Sequence, residues 1–301
     1  MRLALTGATG FVGSTLMDLA LAEGHELKAL TRRDQPSRAN VEWVRGDLSA
    51  HDALAELASG CDAVVHVAGV VNAPDRAGFE AGNIAGTQAM VAAARKTNVP
   101  RFVHVSSLAA REPQLSDYGW SKAGAEEAAR EAEGWVAVRP PAIYGPRDTE
   151  MFEIFRAAKA GIVPLPPRGR ASLIHAQDLA RLLLTLAVAA DAPRGVVYEA
   201  DDNRLNGWSH AEMARLIGDA VGRKVYPLHM PKSVLELAAK GDRLIRGGKA
   251  KLTPDRVSYM THPDWVSRAE MRPPASLWQP QIPSPEGMKQ TADWYRAEGW
   301  L

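Results

Sequence analysis

Thr6-Gly7-Ala8-Thr9-Gly10-Phe11-Val12-Gly13 lies between an apolar run, Leu3–Thr6, and a helix-like stretch, Phe11–Glu23. Glycines at such a junction meet three separate needs. One permits a tight turn, one lets the backbone approach a pyrophosphate, and one lets the helix pack close to the strand. The helix start then offers free N–H groups and a partial positive charge to phosphate. The spacing is Gly-x-x-Gly-x-x-Gly, not the commoner Gly-x-Gly-x-x-Gly. Three glycines alone say little; their place between strand and helix, at the head of an alternating chain, gives them weight.

Short apolar runs continue outward from this loop: Leu27–Thr31, Val41–Val44, Ala63–Val67, Arg101–Ser106, Val136–Arg139 and Val196–Glu199. Each reads as a buried parallel strand. Helix candidates alternate with them at Ala50–Ala58, Asn83–Thr97, Tyr118–Glu131 and Ala176–Ala189. This rhythm predicts an α/β fold, a Rossmann-like doubly wound parallel sheet with helices on both faces. After Gly145 the rhythm breaks. Met151–Ala160 reads as a helix, 164–170 as a Pro/Gly/Arg connection, and Ser209–Val221 and Pro231–Ile245 as further helices. The proline-rich stretch 272–285 fits neither a long helix nor a central strand. The expected division is a dinucleotide-binding domain at 1–148 and 172–200, and a smaller, mostly helical substrate lobe at 149–171 and 201–301.

Composition narrows the function. The 301 residues carry a formal net charge of +1, so no chain-wide field draws the protein to nucleic acid or to a membrane. The single cysteine, Cys61, excludes an internal disulfide and reads as a buried, inert thiol. The eight histidines form no His-Glu-x-x-His pattern, so no metal site is expected. The N-terminus does not read as a signal peptide, because the glycines come early and Asp18 interrupts the following segment. The apolar helix Leu179–Ala190 carries Arg181 and is too short to span a bilayer. A cytoplasmic protein acting on a small molecule is expected.

Tyr118-Gly119-Trp120-Ser121-Lys122 opens a helix with Tyr and Lys on one face. The phenol's reference pKa is about 10, and a nearby cation lowers it toward working pH. Tyr118 then becomes an acid/base, with Lys122 tuning it and also holding the cofactor's ribose.

The glycine loop, the Tyr-x-x-x-Lys helix, Asn83-Ile84-Ala85-Gly86-Thr87 and Arg139-Pro140-Pro141-Ala142-Ile143-Tyr144-Gly145-Pro146 recur in a recognisable order. Together they resemble the extended branch of the short-chain dehydrogenase/reductases, which includes sugar-nucleotide epimerases and dehydratases, dihydroflavonol-type reductases and 3β-hydroxysteroid dehydrogenases. The resemblance runs through most of the first two hundred residues. It implies cofactor contacts at Thr6, Gly7, Thr9, Gly10, Phe11, Val12 and Gly13, at Asp47 and Leu48, at Val67-Ala68-Gly69, at Val105 and Ser106, at Tyr118 and Lys122, and at Pro141, Ala142 and Ile143. It places the catalytic serine at Ser107, with Ser106 the alternative. Asn83 would hold water or the lysine, or simply satisfy backbone groups. Tyr144 and His66 read as packing, and Asp178, in His175-Ala176-Gln177-Asp178, as a helix entry. A homodimer through the helices at Asn83 and Tyr118 is one expectation and a monomer the other.

The second strand decides between cofactors. NAD enzymes of this fold end it with an acidic residue that binds the ribose hydroxyls. Here that position is Thr31, followed by Arg32-Arg33. Arginine forks suit a 2′-phosphate, so NADP(H) is expected, with Arg32 the main contact, Arg33 the second, and Asp34 beyond the strand end. The chain lacks the Val-Tyr-Gly that sugar-nucleotide members carry after the serine pair, and the stretch from Ser107 to Tyr118 is short. Both features turn the expectation toward interconversion of a carbonyl and an alcohol by hydride transfer. Epimerase or dehydratase chemistry, and a non-catalytic scaffold or sensor, are the alternatives. Trp265, Trp278, Trp294 and Trp300 read mainly as packing. The basic run Arg243, Arg246, Lys249, Lys251 and Arg256, around Gly247-Gly248, reads mainly as solvated surface.

Overall fold

The computed structural model describes residues 1–301 except Gly248, Lys249 and Lys251. Lys249 and Lys251 of the basic run, and Gly248 within it, therefore lie outside the described residues.

The chain begins with six strands, β1 (Arg2–Thr6), β2 (Glu26–Thr31), β3 (Val41–Arg45), β4 (Ala63–His66), β5 (Phe102–Val105) and β6 (Trp135–Val138). Between them run α1 (Phe11–Ala22), α2 (His51–Ala58), α3 (Arg76–Phe79), α4 (Gly86–Lys96) and α5 (Asp117–Ala129). Four short strands follow, β7 (Ala142–Tyr144), β8 (Ile162–Leu165), β9 (Arg170–Ala171) and β10 (Leu173–His175), with α6 (Phe152–Ala160) among them. The helix α7 (Ala176–Val188) leads to β11 (Val196–Tyr198). Seven strands form one sheet in the order β3-β2-β1-β4-β5-β6-β11, every neighbouring pair parallel. Strand order reverses between β1 and β4. In open parallel sheets of this kind ligands bind beyond the carboxyl ends of the strands at that switch point.

Two compact units result. One contains Met1–Pro140, Leu179–Glu199 and Pro273–Trp278, and the other Pro141–Asp178, Ala200–Arg272 and Gln279–Leu301. The sequence reading keeps 141–148 with the dinucleotide-binding part. In the structure Ala142–Tyr144 instead pairs with Leu173–His175, which draws that segment into the second unit. The first unit's core beneath α2 and α4 includes Ala4, Leu54, Leu57, Val64, Met90 and Phe102. Cys61 joins it as a buried thiol, with burial pushing its pKa up to about 11.

The second unit adds β12 (Trp208–Ser209), α8 (His210–Val221), β13 (Tyr226–His229), α9 (Lys232–Arg246), α10 (Pro254–Met260), β14 (Asp264–Trp265) and α11 (Ser284–Ala297). Its core is built on Tyr144, Phe155, Leu173, Ile217, Met288 and Tyr295. Trp294 and Trp300 pack edge to face in this unit, beside Tyr295. The helix α11 was hidden in the sequence by its prolines, yet Pro285 falls in its first turn, where a missing N–H costs nothing. Among the described residues no helix is long and apolar enough to cross a membrane.

Candidate active site

The glycine loop turns at Gly7, whose φ of 75° suits glycine, and Gly10 N–H closes the turn on Gly7 O at 2.9 Å. A Cβ on Gly7 would meet Ala68 N at 2.8 Å, and one on Gly13 would meet Gly7 O at 2.0 Å. The two glycines thus let the loop touch the turn after β4 and let α1 close on the loop. Gly10 is the N-cap of α1, so no side chain covers the first N–H groups of that helix. A cradle that any Cβ would fill, at an uncapped helix start on the switch point, fits a dinucleotide pyrophosphate. Thr9 and Gly10 are exposed, and Phe11 and Val12 half-buried, along its rim.

Thr6 has another task. Its hydroxyl accepts from Ala68 N–H at 3.1 Å and lies 2.8 Å from His66 Nδ1. On the far side, His66 Nε2 lies 3.1 Å from Thr87 Oγ1, which donates to Asn83 O at 2.7 Å. Because Thr87 spends its proton on Asn83, it accepts from Nε2–H, and Nδ1 accepts from Thr6. The network assigns that tautomer. Burial, aided by Lys122, lowers the His66 pKa to about 3. His66 is a neutral tie between the two loops, in line with its reading as packing.

At the end of β2, Thr31 is buried and its hydroxyl donates to Arg33 O at 2.6 Å, folding the turn back on itself. Arg32 and Arg33 are exposed beyond it. Asp34 pairs with Arg45 of β3. Asp47 accepts from Ser49 N–H at 2.9 Å and Ser49 Oγ at 2.6 Å, which hold its carboxyl below the usual range; the charge of Arg32 acts in the same direction. Leu48 packs against the core of the first unit, in the space left by Gly86.

Gly69 links the cofactor loops to the catalytic candidates. A Cβ there would lie 2.8 Å from Asn83 Oδ1 and 3.8 Å from Lys122 Nζ. Asn83 accepts from Val70 N–H at 2.8 Å and donates to Val70 O at 3.0 Å and Ser121 Oγ at 2.8 Å. It sits in a π-helical turn, Glu80–Ala85, that precedes α4. The sequence reading starts this helix at Asn83. The structure starts it at Arg76, because Asp75 caps the first turn by accepting from Gly78 N–H at 2.9 Å.

Lys122 is buried and donates to Val105 O, the last carbonyl of β5, at 2.7 Å. Burial pushes its pKa down to about 8, against a raising effect from Glu126. One turn earlier on α5, Tyr118 is half-buried, its ring 6.1 Å from that of Phe79. Ser116 caps α5 by accepting from Gly119 N–H at 2.9 Å. Gly119 is small of necessity, since a Cβ there would meet Ala109 O at 2.7 Å. That close approach brings the start of α5 against the turn carrying Ser107.

The serine pair divides its duties. Ser106 is buried and donates to Glu126, whose carboxylate also accepts both Arg139 Nε and Nη2 at 2.7 Å. Glu199, fully buried, lies 3.7 Å from Arg139 and from Arg111. Ser107 is half-buried, and among the described residues its hydroxyl is engaged only as an acceptor from Ala109 N–H at 3.2 Å, which leaves its proton for another acceptor. The Ser106–Glu126–Arg139 cluster escaped the sequence reading. The one trace of it there is Glu126, four residues past Lys122 on the same face as Tyr118.

Pro141, Ala142 and Ile143 lie in the second unit, the last two on β7. Tyr144 is buried there with its ring edge-on to His175 at 5.3 Å, and burial raises its phenol well above the usual range. Asp178 does more than enter a helix, since it accepts from Gln281 N–H at 3.2 Å and Ile282 N–H at 3.0 Å. Among the described residues no cluster suits a metal ion.

A parallel sheet in this order, a glycine cradle at its switch point and a Tyr–Lys helix beside it define a Rossmann-type protein built for dinucleotide chemistry. The chain belongs to the NAD dependent epimerase/dehydratase family, whose model matches residues 3–200. It is 36% identical to the ceramide reductase of Caulobacter vibrioides over 99% of this chain and 95% of that protein. It is 32% identical to a putative dihydroflavonol 4-reductase of a Synechocystis strain, over 48% of this chain and 50% of that one. Solved structures share the fold. MoeE5 with UDP-glucose and NAD superposes with a TM-score of 0.75 at 22% identity, over 99% of both chains. The human epimerase family protein SDR39U1 with NADPH superposes at 0.76 and 22%, over 97% of this chain and 99% of that one.

Proposed function

We propose that this chain is an NADP(H)-dependent reductase that converts the ketone of a long-chain, ceramide-like lipid into a secondary alcohol. The observation that carries the chemistry is Lys122, a buried ammonium fixed on the end of β5 one turn from Tyr118. The nicotinamide, when bound, supplies the hydride to the carbonyl carbon. Tyr118 gives the phenolic proton to the carbonyl oxygen, and Ser107 donates a hydrogen bond that holds that oxygen in place. Lys122 keeps a positive charge near the phenol and stabilises the phenolate left behind. Ser106 is the framing residue, because its hydroxyl is already spent on Glu126.

Arg32 and Arg33, exposed past a second strand that ends in Thr31 rather than a carboxylate, support NADP(H). The lipid substrate rests on the end-to-end similarity to a ceramide reductase. The second unit, 141–178 with 200–272 and 279–301, is the part of the chain assigned to substrate.

The test is a titration with NADPH and NADH, followed by turnover of a keto-ceramide analogue in detergent, read at the nicotinamide absorbance. Tighter NADPH binding and consumption of one NADPH per ketone are expected. Tyr118→Phe is expected to lower kcat by two to four orders of magnitude, roughly the worth of a positioned acid/base, while sparing NADPH affinity. Retained turnover in that variant refutes the assignment of Tyr118, and equal affinity for the two cofactors refutes the role of Arg32.

A further inference from the structure

The helix α9 turns an apolar stripe outward. Val234, Leu237, Gly241, Leu244 and Ile245 recur at the spacing of a single helical face. Leu237 is 71% exposed, Leu244 88% and Ile245 86%. The opposite side is the one packed down. Ala239 is fully buried, α10 lies against the helix, and Leu252 N–H donates to Asp242 Oδ2 at 2.9 Å. The helix also carries four cations, Lys232, Lys240, Arg243 and Arg246, against two acids, Glu236 and Asp242. Each acid is matched to a cation, Glu236 to Lys232 at 4.0 Å and Asp242 to Arg246 at 3.2 Å, so Lys240 and Arg243 carry the surplus charge. The strand leading into α9 shows the same habit. Tyr226 and Leu228 of β13 are exposed opposite Ile162 and Pro164 of β8.

We propose that the exposed apolar face of α9 is a docking surface for an anionic lipid bilayer, through which the enzyme reaches a membrane-resident substrate. This rests on the reading of that substrate as a long-chain lipid. A helix with large apolar side chains on one face, cations flanking it and modest overall hydropathy lies in the plane of the headgroups. Its leucines sink to the acyl boundary, while lysine and arginine stems reach back to the phosphates. The chain-wide charge of +1 is no obstacle, because the attraction acts over about a Debye length and α9 is locally cationic. A second copy is a poorer occupant. A two-fold contact through α9 brings the surplus cations of both copies, Lys240 and Arg243 twice over, into one interface.

The experiment is flotation of the full chain with vesicles of phosphatidylcholine, with and without phosphatidylglycerol, at low and high salt. The wild-type chain is expected to float with the anionic vesicles and to be released by salt. The double variant Leu244→Ser with Ile245→Ser is expected to lose on the order of tenfold or more in partition, the scale set by burying two large side chains. The pair Lys240→Glu with Arg243→Glu is expected to lose the preference for phosphatidylglycerol. Both variants should retain NADPH binding and reduction of a water-soluble ketone, which also reports that they fold. A wild-type chain that stays with the unbound fraction overturns the proposal. So does a serine variant that floats like wild type, or one whose only change is conversion of a dimer to a monomer by light scattering. Flotation requires no turnover. Vesicle binding without reduction of any keto lipid therefore removes the substrate assignment and leaves the docking surface intact.

Discussion

Lys122 shows what a buried charge needs in order to act. Burial works against its ammonium and brings the pKa down to about 8, while Glu126 works in the opposite direction. The protonated form is the one that stabilises a Tyr118 phenolate, so activity is expected to fall as pH rises through about 8. Glu126→Gln removes the raising influence, lowers the lysine's pKa further and moves that fall to lower pH. The pH profile of kcat measures this, and an unshifted profile would show that Glu126 serves structure alone. The same variant leaves Arg139 without its bidentate partner, and breaking a buried pair costs about 3–5 kcal/mol. Thermal melting reads that loss separately. The Tyr118–Lys122 pair was legible in the sequence because a helix fixes the i, i+4 relation. The division of labour between Ser106 and Ser107 was not, because it depends on an arginine just past β6 and a glutamate of α5.

The glycine loop and α1 act as one element, and its three glycines are unequal. A methyl on Gly13 would stand 2.0 Å from Gly7 O, inside any allowed contact, so Gly13→Ala must lift the helix off the loop. A methyl on Gly10 would stand 3.3 Å from the same oxygen, which a small shift relieves. NADPH affinity, measured by fluorescence titration, is expected to fall by more than tenfold in Gly13→Ala and by clearly less in Gly10→Ala. Comparable losses in the two variants would mean that the close approach of helix to loop does not shape the phosphate cradle. The sequence announced the loop by spacing and position but gave all three glycines equal standing. Their ranking depends on where Gly7 O points, which is a property of the folded turn. The start of the fourth helix was hidden for a similar reason. The cap at Asp75 is a local bond from Gly78 N–H, but the π turn around Asn83 is held by bonds to Val70 and Ser121, which no local pattern announces.

Across the whole molecule, legibility follows the reach of the pattern. The seven-stranded sheet was visible because most of its strands, β1, β2, β4, β5 and β6 above all, are runs of buried residues separated by helix-forming stretches, although β3 is largely exposed and follows β2 without a helix. The small sheets of the second unit were not. Arg170–Ala171, Trp208–Ser209 and Asp264–Trp265 pair across long separations with two residues each, too few to show a period. The first unit's histidines give a test of how burial governs the molecule's response to acid. His66 and His104 pair in register on β4 and β5, their rings stacked with centroids 5.6 Å apart. His104 is buried with neither ring nitrogen hydrogen-bonded among the described residues, and burial, Lys122 and His66 all hold its pKa well below the usual value. In the unfolded chain the same imidazole takes up a proton near pH 6.5. Below that pH the unfolded state therefore binds more protons than the native state, and stability falls as pH drops, by up to about 1.4 kcal/mol per pH unit for each such group. Asp148, raised by burial to about 7, has the opposite sign, contributing stability at low pH that is lost as pH rises from about 4 to about 7. Replacing His104 with Phe keeps an aromatic ring beside His66, sacrifices no hydrogen bond and removes one proton from the acid limb. His104→Phe is expected to match wild-type stability near pH 7 within about 1–2 kcal/mol, the usual range for a hydrophobic swap of similar size. It should then exceed wild type progressively as pH falls from about 6 to about 4. Urea unfolding at a series of pH values measures the difference, and parallel curves for the two proteins would place the acid sensitivity elsewhere in the fold.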